Sequence, residues 1–327
     1  SMDGYTAFGA SITLEVSKQT FDCPAPAAVV ADLEVIGAAP SGMAAWGYAD
    51  LLAKVTAGAD WILADALGVE PIHPLAWNIV HGRLREAVDN PAGVPGRDPV
   101  TLGRLVEGLM LGGFAMQAAQ SSRPASGAEH QFSHLWDMQH HVYQGHAPSH
   151  GFKVGIGTLA TTALYESLLG RPLAELDLDR CCAGWPEETA WTEWAREIFG
   201  AGVLGAVARR EVTAKHIAAV QLRRQLERLC ACWPELTGML RRQLIPFTTL
   251  REMLRVAGAP TEPEQIGISR QRLRDSFRQA FFIRRRFTVL DLAVRTGLLD
   301  ACLEDIFGPK GVWPLSAEPP IPLRPDR

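Results

Sequence analysis

The feature of this sequence that most constrains its fold is a change of residue periodicity near residue 40. Between residues 8 and 32, apolar and polar residues alternate, as in Ala10-Ser-Ile-Thr-Leu-Glu-Val16. This alternation predicts a hairpin, and the Val29-Val30 pair predicts a third strand. From residue 43 to 67, apolar residues recur at three- and four-residue spacing until Gly68, which predicts a helix and its end.

The helical periodicity then continues through the rest of the chain. A few strands followed by helices alone suggest the end of an α/β domain and then a complete helical domain. We find no internal repeat. The further predicted helices cover residues 73–88, 101–121, 126–140, 152–169, 189–200, 214–232, 234–244, 248–257, 269–281 and 289–296.

Composition narrows the class of protein. With 327 residues, 47% hydrophobic and 21% charged, the chain is globular with a large core. A net charge of −4 argues against a nucleic-acid partner, and we interpret the arginine clusters at 223–224, 241–242 and 284–286 as solvated helix faces paired with acids. The six cysteines form no C-x-x-C pair and are interpreted as reduced thiols. Because neither a membrane span nor a signal peptide is recognisable, we predict a cytoplasmic location.

Three residues are candidate metal ligands. Asp50 lies within an apolar helix, where a lone carboxylate is costly unless a cation pairs with it. His130 precedes His134 by four residues, so both imidazoles share one helix face, and His150 stands at the start of the next helix. Two imidazoles and one carboxylate suit a catalytic zinc or nickel ion with open coordination positions. Taken singly, each residue also fits a structural role.

Other motifs give weaker evidence of function. Gly155-Ile-Gly157 follows no strand and lacks a third glycine, so we do not interpret it as a dinucleotide-binding turn. Of the other histidines, His73 and His81 are interpreted as structural, and His140, His141 and His146 as exposed.

Several strings resemble the sn-glycerol-1-phosphate dehydrogenases, a branch of the superfamily of glycerol dehydrogenase, iron-containing alcohol dehydrogenases and dehydroquinate synthase. Among them the Arg-Pro-Ala-Ser-Gly-x-Glu-His string is specific to this branch. The strings are Ser1-Met-Asp-Gly-Tyr5, Ala31-Asp-Leu-Glu-Val35, Gly47-Tyr-Ala-Asp50, Ser122-Arg-Pro-Ala-Ser-Gly-Ala-Glu-His130, His150-Gly-Phe-Lys-Val-Gly-Ile-Gly-Thr158 and Ile283-Arg-Arg-Arg-Phe-Thr-Val-Leu-Asp-Leu-Ala293.

The resemblance implies a mostly α fold, in which residues 39–312 form an all-helical metal- and substrate-binding domain of the dehydroquinate synthase-like type. Residues 1–38 are then the last strands of a truncated, Rossmann-like α/β nucleotide-binding domain, and residues 313–327 are a Pro-rich tail. It also implies a homo-oligomer that acts on a small phosphorylated triose or polyol.

The implied activity is the NAD(P)H-dependent interconversion of dihydroxyacetone phosphate and sn-glycerol 1-phosphate. By the same resemblance, Asp50, His130 and His150 bind one divalent metal, zinc or nickel, while Asp3 and His134 contact substrate. Asp50 is also expected to touch a substrate hydroxyl. The metal would stabilise the alkoxide that forms as hydride adds.

Two departures affect the cofactor. Ala7 occupies the position of a family serine that contacts the cofactor. The family's glycine-rich, pyrophosphate-binding turn would precede residue 1, so we expect this chain alone not to complete a cofactor site. An unphosphorylated-polyol dehydrogenase and a non-catalytic helical metal-binding module therefore remain alternatives.

A phosphate position is also predicted. Ser126-Gly-Ala-Glu129 has the pattern of a capping box, which would leave the positive end of a helix one turn before His130. A substrate phosphate there would be held by Arg123 and Ser126. The alternative is that Ser126 only caps the helix and Arg123 is a surface cation.

Overall fold

The computed structural model describes residues 6–7, 9–14, 17–21 and 23–315, and most of these residues are helical, as predicted. The predicted hairpin is confirmed: β1 (Ala10–Leu14) and β2 (Ser17–Phe21) pair antiparallel. Within the described ranges this is the only sheet. Among those same residues, no helix is both long and apolar enough to cross a bilayer.

Sixteen α-helices make up most of the described chain. Their bounds are α1 (Leu33–Ala38), α2 (Ser41–Leu52), α3 (Lys54–Ala66), α4 (Pro74–His81), α5 (Leu84–Val88), α6 (Pro99–Ala119), α7 (Ala128–Met138), α8 (His150–Leu169), α9 (Leu178–Ala183), α10 (Glu188–Phe199), α11 (Val203–Lys215), α12 (Ala219–Gln243), α13 (Phe247–Val256), α14 (Arg270–Phe282), α15 (Val289–Arg295) and α16 (Leu299–Phe307).

The third strand predicted around Val29-Val30 is wrong. Residues 23–32 have no regular secondary structure, and Val30 is 91% exposed. A strand needs a neighbouring edge to satisfy its backbone groups, and the described residues give this segment no such edge. Asp32 instead caps α1, since its carboxylate accepts hydrogen bonds from the amides of Glu34 and Val35 at 2.9 and 3.2 Å.

Helix boundaries differ from prediction in several places, among them residues 73–88, which form α4 and α5 rather than one helix. The helix predicted from 43 to 67 is two helices, α2 and α3, which meet at Ala53. The helices predicted on either side of Trp233 are one, because α12 runs through Pro234. A proline inside a helix costs about 3 kcal/mol. Buried leucines and Trp233 form one apolar stripe that continues across the proline, and its burial offsets that cost.

Four short or atypical helices, α1, α9, α11 and α16, were not predicted. In α11 the buried stripe includes Glu211 and Lys215, which break the apolar periodicity. Burial of both side chains is possible because each has an oppositely charged partner: Arg285 for Glu211 and Asp291 for Lys215.

The core is centred on α8, which is buried on nearly all sides, since its apolar and small residues are spread around the whole helix. α2 and α7 pack against α8, and α12 packs on α3. The candidate metal ligands lie on these central helices. The proposed divisions at residues 38 and 312, and the assignment of residues 1–38 to a Rossmann-like domain, stay predictions.

Candidate metal and substrate site

Three helices bring Asp50, His130 and His150 together. Asp50 is near the end of α2, His130 is in the first turn of α7, and His150 is the first residue of α8. Oδ1 of Asp50 lies 3.5 Å from Nε2 of His130 and 3.7 Å from Nε2 of His150. One ligand atom from each residue lies within 4.8 Å of the other two, and no other such trio of metal-ligating side chains occurs among the described residues.

Asp50 has the environment of a metal ligand. Its side chain is fully buried, yet Oδ1 has no hydrogen-bond partner among the described residues. An unpaired buried carboxylate oxygen is costly, and a cation between it and the two imidazoles would remove that cost. The geometry and chemistry of this trio therefore fit a divalent transition metal.

Neighbouring groups orient both imidazoles. Nδ1 of His130 is 2.8 Å from Oε1 of the buried Glu129, whose Oε2 accepts a hydrogen bond from Thr56 at 2.9 Å. Nδ1 of His150 is 3.2 Å from Oγ of Ser133. With Nδ1 occupied in each ring, Nε2 turns toward Asp50, which is the usual arrangement of metal-binding histidines.

The charge around Asp50 favours its ionised form. Burial alone would raise the pKa of Asp50, but the Lys54 ammonium and the two imidazoles hold it well below its ordinary value. Lys54 follows Asp50 by one helical turn, and its Nζ lies 3.5 Å from Oδ2. Asp50 is thus a carboxylate at neutral pH, as a metal ligand must be.

Two glycines allow the three helices to approach this closely. A Cβ atom on Gly151 would lie 2.0 Å from the backbone oxygen of Trp46, in α2. A Cβ on Gly157 would lie 2.4 Å from the backbone oxygen of Glu129, in α7. Gly151 and Gly157 are therefore needed for helix packing. This packing role explains Gly157, and no dinucleotide-binding turn is required to explain it.

His134 borders the trio, as its spacing from His130 predicted. Its ring centroid is 6.0 Å from that of His130 and stacks on that of His150 at 6.3 Å. Nη2 of Arg284 donates a hydrogen bond to Nδ1 of His134 at 2.8 Å. Since an arginine can only donate, Nδ1 carries no proton, and the neutral ring has its N–H at Nε2.

The site opens on one side. His150 is 31% exposed, whereas His130 is 7% exposed and Asp50 is fully buried. A small molecule would therefore approach past His150.

The predicted capping box and phosphate position at the start of α7 are corrected. Arg123 is fully buried, and it donates to the backbone oxygens of Phe287 and Asp60 at 2.7 and 2.6 Å. Ser126 caps no amide; its Oγ accepts a hydrogen bond from Arg286. The first amide of α7 donates instead to Oδ2 of Asp60 at 2.7 Å, so a buried carboxylate already occupies the predicted phosphate position.

The other predicted positions have different outcomes. Asp3 lies outside the described residues. Ala7 is buried, and its relation to a cofactor stays a prediction. His141, interpreted as exposed, is buried: its Nε2 contacts the Ile266 oxygen at 2.7 Å, and its Nδ1 accepts from Arg272.

Sequence reasoning missed several supporting residues. The i, i+4 spacing of Asp50 and Lys54 is a recognisable signal for an ion pair. Glu129 was assigned to a capping box, although its position next to His130 also suits an orienting role. Asp60 and Arg284 gave no local signal, because their partners are distant in sequence.

Several known proteins similar to this chain share one name. Residues 1–40 match the family described as iron-containing alcohol dehydrogenase. Glycerol-1-phosphate dehydrogenase [NAD(P)+] of Bacillus licheniformis is 35% identical over 204 residues, covering 61% of this chain and 51% of that protein. The enzyme of the same name from Geobacillus stearothermophilus is 30% identical over 291 residues, covering 89% of this chain and 62% of that protein.

An archaeal relative of the same name, from Methanosarcina mazei, is 34% identical over 165 residues, covering 50% of this chain and 45% of that protein. The chain spans about half the length of the relatives it matches. The G. stearothermophilus match extends over most of the chain and so includes most of the helical region that holds the metal-ligand trio. The chain is therefore similar over most of its length to a protein named glycerol-1-phosphate dehydrogenase [NAD(P)+], and over its first 40 residues to the iron-containing alcohol dehydrogenase family.

Proposed function

We propose that this chain supplies the metal- and substrate-binding part of an NAD(P)-dependent dehydrogenase that interconverts dihydroxyacetone phosphate and sn-glycerol 1-phosphate. The observation that carries the proposal is the buried Oδ1 of Asp50, which accepts no hydrogen bond from the part of the chain that the structure describes and faces Nε2 of His130 and His150. The name that these relatives share, glycerol-1-phosphate dehydrogenase [NAD(P)+], supports the proposed reaction.

Zinc or nickel is the metal we propose for the trio, because both accept imidazole and carboxylate ligands. Three protein ligands would leave a position for a substrate oxygen. A divalent ion bound there would supply Lewis acidity, which polarises the substrate carbonyl and makes its carbon a better hydride acceptor.

The chain's own residues would position the substrate. His134, oriented by the Arg284 hydrogen bond beside the trio, would contact a substrate oxygen. Glu129 and Ser133 keep the ligand imidazoles from rotating. We retain Asp3 as a proposed substrate contact and Asp50 as a carboxylate that also touches a substrate hydroxyl.

The test is the oxidation of NADH or NADPH by protein expressed from the complete reading frame, with dihydroxyacetone phosphate and with dihydroxyacetone. We expect a wide preference for the phosphorylated ketone and loss of activity in Asp50→Asn. Asp179→Asn, which alters an exposed carboxylate, should retain activity.

Other results would select the alternatives. Equal or better use of dihydroxyacetone would indicate a polyol dehydrogenase. Metal binding without oxidation of either nucleotide would indicate a non-catalytic metal-binding module.

A further inference from the structure

Three arginines gather beside the metal-ligand trio. Arg284 and Arg286 belong to the loop of residues 283–288, between α14 and α15, and Arg123 precedes α7. Arg284 contacts His134, whose ring stacks on His150. The Arg284 guanidinium is thus one side chain away from a candidate metal ligand.

The three guanidinium groups are used differently. Arg123 is held by two backbone oxygens, with Nε 3.5 Å from Glu70. Arg286 donates to the backbone oxygen and Oγ of Ser126 at 2.7 and 2.8 Å, and to Oγ of Ser122 at 2.7 Å. These bonds fix the segment that leads into α7. Arg284, in contrast, makes one hydrogen bond among the described residues, to His134, and none of these residues accepts from its other four N–H groups.

Two of these arginines form no direct ion pair with an acid of the described chain. Within the described ranges, neither Arg284 nor Arg286 has a carboxylate oxygen within 4.0 Å. Burial and the neighbouring Arg123 and Arg284 lower the pKa of Arg286 to about 9, and burial lowers that of Arg284. Partly buried cations that repel one another are costly, and an anion bound between them and the trio would offset that cost.

The adjacent Arg285 shows the opposite situation. It is exposed and makes paired contacts with both carboxylate oxygens of Glu211 at 3.0 Å. Of the arginine run at 284–286, only this member fits the expected solvated and acid-paired environment. Arg284 and Arg286 lie on the side of the loop that faces the site.

We propose that Arg284 anchors an anion subsite beside the metal-ligand trio and that this subsite takes the phosphomonoester group of the substrate. A guanidinium fork matches the oxygens of a phosphate and can form paired hydrogen bonds with it. A triose phosphate is a small molecule, and only one side chain, that of His134, separates Arg284 from the trio. This inference rests on the proposed function, and it replaces the phosphate position predicted at Arg123 and Ser126.

The test is calorimetric titration of the metal-loaded chain, in phosphate-free buffer, with sn-glycerol 1-phosphate, inorganic phosphate and glycerol. We expect Arg284→Gln to weaken sn-glycerol 1-phosphate binding by about tenfold or more, as for a lost hydrogen bond to a charged group. Arg285→Gln is the matched control, with the same charge change one residue away, and should bind within about twofold of wild type. Metal content should be equal in all three proteins.

Several results would overturn the proposal. These are unchanged binding in Arg284→Gln, equal weakening in Arg285→Gln, or wild-type binding of free phosphate with no tighter binding of the ester, which would indicate a free-anion site. If Arg284→Gln does not fold, Arg284→Lys keeps the charge without the fork and should bind several-fold more weakly; wild-type affinity there would also overturn it. Arg284-dependent ester binding by a chain that refuses metal would instead contradict only the proposed metal centre.

Discussion

Two buried aspartates on consecutive helices, Asp50 in α2 and Asp60 in α3, have opposite environments. Both side chains are fully buried. Asp60 accepts hydrogen bonds from the amides of Ala128 and Val289 at 2.7 and 2.8 Å and from the Tyr165 hydroxyl at 2.7 Å. Asp50 Oδ1 accepts none from the described residues and faces two imidazole nitrogens instead.

Burial alone therefore does not identify a ligand. Asp60 joins the starts of α7 and α15, where it accepts hydrogen bonds from amides that have no partner within their own helix. Asp50 lies beside the Lys54 ammonium and two imidazoles, and its Oδ1 accepts no hydrogen bond from the described residues. Their pKa values move in opposite directions: that of Asp50 is lowered, whereas burial and the nearby Glu129 raise that of Asp60 to about 7. We infer that Asp60 maintains the fold and that Asp50 serves the site.

The largest expected effect is on stability. Asp60→Ala leaves two amides and one hydroxyl buried without an acceptor and should lower the free energy of unfolding by about 3–5 kcal/mol. Asp98→Ala, which removes the cap of α6, is the matched control and should cost about 1 kcal/mol. Urea denaturation at pH 6 measures both. Equal losses would show that Asp60 is an ordinary helix cap.

A pH series sharpens the same comparison. Between pH 4 and 7, folded Asp60 keeps a proton that the unfolded chain, with an ordinary pKa of 3.8, has lost. The stability that Asp60 contributes is fully present below pH 4 and is lost as pH rises through about 7. The difference in unfolding free energy between wild type and Asp60→Asn should therefore fall by about 2–4 kcal/mol from pH 4.5 to 8. A difference that is constant across this range would contradict the raised pKa.

A smaller effect is expected at the residue that links the two regions. Glu129 orients His130 and lies near Asp60, so Glu129→Gln should weaken metal binding about tenfold while keeping the hydrogen-bond geometry. The exposed Glu235→Gln provides the control, with unchanged affinity. Competition with a chromogenic chelator measures both affinities. Wild-type affinity in Glu129→Gln would mean that the carboxylate does not orient the ligand.

The sequence could predict the members of the trio but not their surroundings. Asp50 could be predicted because a lone carboxylate is unusual in an apolar helix. His130 and His134 could be predicted to lie together because residues four apart share one helix face. The capping box was wrong because it assumed a local partner. The amide of Ala128 pairs with Asp60 from another helix, and no local pattern encodes that contact.

The arginine run at 284–286 and Pro234 both show that tertiary contacts decide features that the local sequence does not. Which member of 284–286 faces the site depends on the path of a loop, and three adjacent arginines look alike in sequence. Pro234 predicts a helix end from local chemistry, but the buried stripe of α12 outweighs it. Periodicity predicts most of the helices, whereas tertiary contacts determine where one helix ends and the next begins.

The most direct test of the distinction between the two aspartates is metal stoichiometry, measured by mass spectrometry after dialysis against zinc or nickel and then metal-free buffer. We predict about one ion per chain in wild type and in Asp60→Asn, and almost none in Asp50→Asn. Metal retained by Asp50→Asn, or a wild-type chain that holds neither zinc nor nickel, would contradict the assignment of Asp50 as a metal ligand.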